Sequence, residues 1–151
     1  MGWLLDTNVI SELRKPKPER KVFEFVASTP LSELYVSVVS LAEIRYGIEQ
    51  SPDAQKRAAL QDWLTFKVRP MFDPERTLPV NEDILLKWRL LLEDGRKTGH
   101  TFSQPDLLIA AIAAHHGLNS CESRPYSFRP RGSSRLQPLG TRPFVISAPP
   151  F

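Results

Sequence analysis

The sequence predicts an α/β protein, an α/β/α sandwich in which helices flank a parallel sheet. Two apolar runs, residues 3–5 and 34–39, have the pattern of buried strands, and each leads directly into a segment with helical spacing of apolar residues. Residues 107–114 are apolar nearly all round, which is typical of a helix in a protein interior. Strands that alternate with helices favour a parallel sheet covered on both faces.

The other elements follow from the same patterns. Pro16 and Pro18 end the first helix, and a proline within the third strand predicts either an edge position for that strand or the end of the strand. Asn81 is expected to cap the helix that follows, and Pro105 stands at a favoured first helical position. Helices are predicted over residues 7–15, 19–28, from 40 onward, 53–66, 81–94 and 105–114, and strands over residues 3–5, 34–39 and 77–80.

Length and composition indicate one folded domain followed by a tail. The 151 residues, 41% of them hydrophobic, suffice for one domain with a sizeable core. We expect this domain to cover residues 1–118 and residues 119–151 to form an irregular or disordered tail. That tail is rich in proline, arginine and serine, and its one acid is Glu122. The net charge of +3 therefore arises in the tail.

Several features predict a cytoplasmic protein that does not associate with a membrane. No apolar run reaches the roughly 18 residues of a membrane span, and Asp6 lies where a signal peptide would have its apolar centre. The single cysteine, Cys121, excludes an internal disulfide and a cysteine metal cluster.

Three carboxylates adjoin the apolar runs. Asp6 follows the first strand, Glu43 lies in the helix after the second strand, and Asp106 begins the apolar helix. Each has a purely structural explanation: Asp6 as a helix cap, Ser40 with Glu43 as a capping box, and Asp106 as a favourable charge in a first helical turn. These explanations do not account for the position of all three acids beside buried segments.

The functional alternative is a metal site. Carboxyl ends of parallel strands meet at one edge of a sheet, and carboxylates gathered there require a neutralising cation. Oxygen ligands without His or Cys select Mg²⁺ or Mn²⁺, which also accept phosphate oxygens. The pattern favours metal-assisted phosphodiester hydrolysis with Asp6, Glu43 and Asp106 as catalytic metal ligands. Thr7 and Asn8 either orient Asp6 or hold a substrate phosphate, or are ordinary polar residues at a helix start.

Three stretches together resemble the PIN-domain family, and more narrowly the VapC/FitB-type toxins of bacterial toxin–antitoxin modules: LLDTNVISE (residues 4–12), VSLAEIRYG (residues 39–47) and DLLIAA (residues 106–111). The resemblance covers about residues 3–118. It implies a Mg²⁺- or Mn²⁺-dependent endoribonuclease that forms a homodimer and is inhibited by an antitoxin whose C-terminal segment lies over the acidic site. It also implies that Asp6, Glu43 and Asp106 are the acidic metal-site residues, with Asn8 beside them.

The sequence departs from the family pattern after Leu118. The family has a last strand followed by a fourth acid, whereas residues 119–124 read Asn-Ser-Cys-Glu-Ser-Arg. The last strand is therefore doubtful, and Glu122 is the acid that would substitute for the fourth one. We hypothesise a shift of reading frame near residue 119, because codons chosen for this tail can, one nucleotide later, encode family-like endings. Sequencing the gene and its near relatives tests this hypothesis.

Two other functions remain open. A phosphatase with Asp6 as its nucleophile would require a second acid two residues later, where this chain has Asn8. A catalytically weakened or inactive protein that only binds antitoxin or RNA is favoured if the tail is native.

Overall fold

A computed structural model describes residues 2–99, 103–122 and 129–131. Within these residues the sheet has five strands in the order β3-β2-β1-β4-β5. The first four strands run parallel, and β5 pairs antiparallel with β4 at the edge. The strands are β1 (Trp3–Leu5), β2 (Leu34–Ser37), β3 (Thr77–Leu78), β4 (Asn119–Glu122) and β5 (Arg129–Arg131).

Six α-helices in the described residues flank the sheet. They are α1 (Thr7–Glu12), α2 (Arg20–Ser28), α3 (Val38–Glu49), α4 (Ala54–Trp63), α5 (Glu82–Lys97) and α6 (Gln104–His116). One π-helical turn, Leu64–Val68, and two 3₁₀ turns, Leu31–Glu33 and Arg69–Met71, complete the helical structure. None of the helices described is long and apolar enough to cross a bilayer.

Alternation along the strands divides the core into two layers. Leu5 faces the cluster formed with α1 to α4, whereas its neighbour Leu4 faces the cluster formed with α5 and α6. In β2, Val36 belongs to the first cluster and Tyr35 packs against the second. Successive side chains of a strand point to opposite faces, so a sheet buried on both sides needs apolar residues at every position. The predicted α/β/α sandwich is confirmed.

The predicted capping box at Ser40 and Glu43 is wrong. Strand β2 ends at Ser37, and α3 begins at Val38 with Ser37 as its N-cap; the Ser37 side chain accepts a hydrogen bond from the Ser40 N–H at 3.0 Å. Val38 and Val39 have high strand propensity, but the cap and the packing of Val39 against the second cluster place them in the helix. Ser40 thus lies in the first turn and Glu43 in the second.

The last parallel strand, which the sequence left doubtful, is present as β4. Its residues lack strong strand propensity, and pairing with β1 selects the extended conformation: Trp3 pairs with Asn119 and Leu5 with Cys121. Gly117, at a φ of 64°, ends α6 in the left-handed conformation and turns the chain back beside β1. Residues 123–128 and 132–151 of the predicted tail lie outside the described residues, and the domain boundary at residue 118 stays a prediction.

Candidate active site

The three predicted acids lie on elements that meet at the carboxyl edge of the sheet. Helices α1 and α3 begin directly after β1 and β2, so their N-termini lie at that edge. Helix α6 returns the chain to the start of β4, so its N-terminus lies there as well. Helix α3 contacts both α1 and α6. The N-termini of three helices, whose dipoles stabilise anions, therefore surround this edge.

Asp6 is the first residue after β1 and the N-cap of α1. Its Oδ1 accepts a hydrogen bond from the Val9 N–H at 2.7 Å, so the capping explanation for Asp6 holds. The residue is half-buried, as is Thr7, whereas Asn8 is exposed. In the register of the sheet, Val36 and Cys121 both pair with Leu5, which puts the backbones of Ser37 and Glu122 level with Asp6 on either side.

Glu43 and Asp106 are both half-buried acids on helices. Glu43 lies one helical turn after Ser40, on the side of α3 that holds Ser40. Asp106 lies in the first turn of α6, where its N–H donates to the Ser103 Oγ at 3.3 Å. Among the described residues neither carboxylate has a hydrogen-bond or ion-pair partner. Both are thus available to a ligand.

A buried pair of serines joins two strands beneath this edge and was missed in the sequence. Ser37 and Ser40 are both 0% exposed, and their Oγ atoms are 3.1 Å apart. The Ser40 Oγ donates to the Leu5 carbonyl at 3.5 Å. The signal for this pair is the spacing of two serines at the junction of β2 and α3, which the strand assignment over residues 34–39 concealed.

The donor set fits a hard divalent cation in chemistry but is not closed around one point. Three carboxylates with no His or Cys among them are ligands typical of Mg²⁺ or Mn²⁺. Across residues 2–99, 103–122 and 129–131, however, no group of three or more His, Cys, Asp or Glu side chains lies close enough together to hold a metal ion. The structure places Asp6, Glu43 and Asp106 on converging elements without gathering their carboxylates.

The sequence and the fold match one family of α/β domains. The family model described as PIN domain matches residues 3–123, which include β4. The chain therefore belongs to the PIN-domain family.

The relatives narrow the class to proteins of the VapC and FitB type. The VapC ribonuclease Y4jK of Sinorhizobium fredii is 34% identical over 115 residues, which cover 76% of this chain and 81% of that protein. Toxin FitB of Neisseria gonorrhoeae is 32% identical over 115 residues, which cover 76% of this chain and 82% of that protein.

Two solved structures share the fold over most of their length. FitAcB from Neisseria gonorrhoeae matches with a TM-score of 0.74 and 31% identity over 80% of this chain and 86% of that one. VapBC-5 from Mycobacterium tuberculosis, a member of the VapBC family of toxin–antitoxin systems, matches with a TM-score of 0.60 and 28% identity over 79% of this chain and 82% of that one.

Proposed function

We propose that this protein is a metal-dependent endoribonuclease and the toxin of a type II toxin–antitoxin module. One observation carries the proposal: Asp6, Glu43 and Asp106 lie on three elements that converge at the carboxyl edge of a PIN-domain sheet. Support for RNA as the substrate comes from the VapC ribonuclease relative, and support for a toxin comes from FitB. A cytoplasmic location remains part of the proposal.

Asp6, Glu43 and Asp106 would hold Mg²⁺ or Mn²⁺. Such an ion, when bound, activates water and neutralises charge on the scissile phosphate. The residues of the chain have separate tasks. Asp6 is fixed by its cap bond to Val9, and the carboxylates of Glu43 and Asp106 are free to move toward it once their mutual repulsion is neutralised. Thr7, which is half-buried, and Asn8, which is exposed, would orient Asp6 or hold a substrate phosphate.

The proposed antitoxin would reach the same side of the molecule. The VapBC-5 neighbour is a toxin–antitoxin system. Beside α1 this chain has a cavity of about 340 Å³ whose walls include Leu5, Ile10 and Phe72 and whose rim includes Arg14 and Lys67. Neither cation has an ion-pair partner among the described residues. Apolar walls with a basic rim fit a peptide segment that combines a large apolar side chain with carboxylates.

The proposed homodimer would form through α5. Leu85, Leu86 and Leu90 are 46%, 59% and 58% exposed on this helix, which is costly for leucine. The first turn of α5 is acidic and its last turn is basic, so two copies packed antiparallel about a two-fold axis would pair opposite charges at both ends of the leucine stripe.

Sedimentation of Leu86→Glu tests this interface. We expect a monomer, because the substitution would bury an unpaired charge in the proposed interface. Phe23→Glu is the control, since Phe23 is 54% exposed on α2 and lies outside the stripe. A dimer that survives Leu86→Glu and Leu90→Glu together contradicts the α5 interface.

Cleavage of a panel of structured RNAs in Mg²⁺ tests the activity. Wild type should cleave and EDTA should stop it, whereas Asp6→Asn should lower the rate by about 10²-fold or more. Asparagine caps helices as well as aspartate does, so the substitution removes the charge and keeps the cap. Asp53→Asn is the matched control, because Asp53 caps α4 in the same way. Cleavage that survives Asp6→Asn would defeat the assignment.

A second candidate function is a protein that binds antitoxin or RNA without cleaving. The carboxylates are not gathered around one point in the described part of the chain, and this observation favours it. A folded, antitoxin-free wild type that cleaves none of the RNAs but still retains them on a filter would support this second function.

A further inference from the structure

The buried serines of α3 do more than cap the helix. Ser37 alone satisfies the capping role, because its Oγ accepts the Ser40 N–H. The Ser40 hydroxyl is not needed for the cap. Since the Ser40 Oγ donates to the Leu5 carbonyl, the Ser37 hydroxyl is left to donate to the Ser40 Oγ, 3.1 Å away. The two hydroxyls thus form a directed chain that ends on β1.

The end of this chain lies next to the first acid. The Leu5 carbonyl belongs to the peptide group that precedes Asp6. Ser40 also lies one helical turn before Glu43, on the same side of α3. A single hydroxyl therefore touches the backbone that carries Asp6 and stands on the helix that carries Glu43. Because Leu5 and Ser40 are both 0% exposed, solvent does not compete for this hydrogen bond.

Ser51, at the opposite end of α3, offers a comparison position for Ser40. It is 6% exposed, and its Oγ has no hydrogen-bond partner in the described part of the chain. Its replacement by alanine therefore removes a buried hydroxyl without removing a bond between two elements of the described structure.

We propose that Ser40 is a positioning residue, which fixes the distance between the Asp6 and Glu43 backbones and so prepares these two acids for a shared cation. The importance of that distance for function rests on the proposed metal site. The claim that Ser40 fixes the position of Asp6 does not rest on the metal site, and it can be measured without metal.

The amide proton of Val9 reports the position of Asp6. It is bound to the Asp6 carboxylate and occupies the third position of α1, where helices leave amides without a carbonyl partner. The Ile84 amide is a matched internal reference, because it is bound in the same way to the Asn81 side chain at 3.0 Å in α5. Val9 and Ile84 are both 0% exposed.

The experiment compares wild type, Ser40→Ala, Ser40→Thr and Ser51→Ala by amide hydrogen exchange and by Mn²⁺ binding followed by electron paramagnetic resonance. In Ser40→Ala, the exchange rate of the Val9 amide should rise about tenfold relative to that of Ile84. The affinity for Mn²⁺ should fall about tenfold. This is the smallest loss expected for a residue that supports a metal ligand, because the bond from Ser40 to Leu5 is long at 3.5 Å. Ser40→Thr keeps a hydroxyl, so it should recover most of the Val9 protection and most of the Mn²⁺ affinity. Ser51→Ala should match wild type in both measurements. If Ser40→Ala does not fold, Ser40→Cys replaces the hydroxyl by a thiol, which is a somewhat larger group and a weaker donor.

An unchanged ratio of Val9 to Ile84 exchange in Ser40→Ala overturns the positioning role. A raised ratio with unchanged Mn²⁺ affinity, in a protein whose wild type binds Mn²⁺, overturns its link to the site. If the ratio rises and the wild type binds no Mn²⁺, the positioning of Asp6 stands and the proposed metal site fails.

Discussion

The two sides of the candidate site are held in different ways. Asp6 and Glu43 are anchored in the first core cluster: their chain neighbours Leu5 and Ile44 are 0% and 2% exposed, and the buried serines join β1 to α3. Asp106 lies at the start of α6, where the Ser103 hydroxyl accepts its N–H at 3.3 Å. The sheet and the core around it hold Asp6 and Glu43, whereas the position of Asp106 depends on where the N-terminus of α6 lies.

This difference bears on how the acids would come together. A strand and a helix that are joined by buried hydrogen bonds deform little, because packed cores resist small displacements. A helix end held by one long, half-exposed cap bond shifts at lower cost. If a cation draws the carboxylates together, most of the movement should therefore occur at Asp106, with Asp6 and Glu43 as the fixed reference.

The largest expected effect comes from removing an acid on the fixed side. Glu43→Gln should weaken Mn²⁺ binding by about 10²-fold, and Asp106→Asn should weaken it by about tenfold, because binding energy at the mobile side is partly spent on ordering. Calorimetric titration with Mn²⁺ measures both. Glu49→Gln, on the exposed end of α3, is the control. Equal losses for Glu43 and Asp106 would remove the distinction between the two sides.

The sequence predicted the layers of the fold better than the element ends. Continuous apolar residues at Leu4 and Leu5 and around α6 required burial on both faces, which only a covered parallel sheet provides. The junction of β2 and α3 was misplaced by two residues, because the strand propensity of Val38 and Val39 opposed a cap that depends on tertiary position. The last strand, β4, was left doubtful, since its extended conformation comes from its neighbour β1 rather than from its own residues.

The second expected effect concerns the caps on the two sides. Ser37→Ala should lower the free energy of unfolding by about 2 kcal/mol, because it leaves the buried Ser40 N–H without a partner. Ser103→Ala should cost about 0.5 kcal/mol, since its cap bond is longer and half-exposed. Urea denaturation of both variants gives the two values. A larger loss for Ser103 would show that α6 is the better anchored helix.

For the candidate site, the sequence predicts which residue types take part and in what order, but not the contacts that support them. Three acids beside apolar runs, together with the family resemblance, predict Asp6, Glu43 and Asp106 as the site residues. The serine chain beneath them was invisible, because a hydrogen bond between Ser40 and Leu5 links residues 35 positions apart. Contacts of that kind become visible only when the strand register is known.

The smallest expected effect tests the far end of α6. Its C-terminal dipole favours a protonated His116, but burial, and then the neighbouring His115, lower the pKa of His116 below its ordinary value of 6.5. The folded state therefore binds this proton more weakly than the unfolded state, so the free energy of unfolding should decrease as the pH falls below about 6.5 and should level off below the folded pKa. His116→Gln should flatten that part of the pH dependence measured by urea denaturation between pH 7 and 5. An unchanged slope in His116→Gln would mean that partial burial at this end of α6 does not oppose protonation of His116.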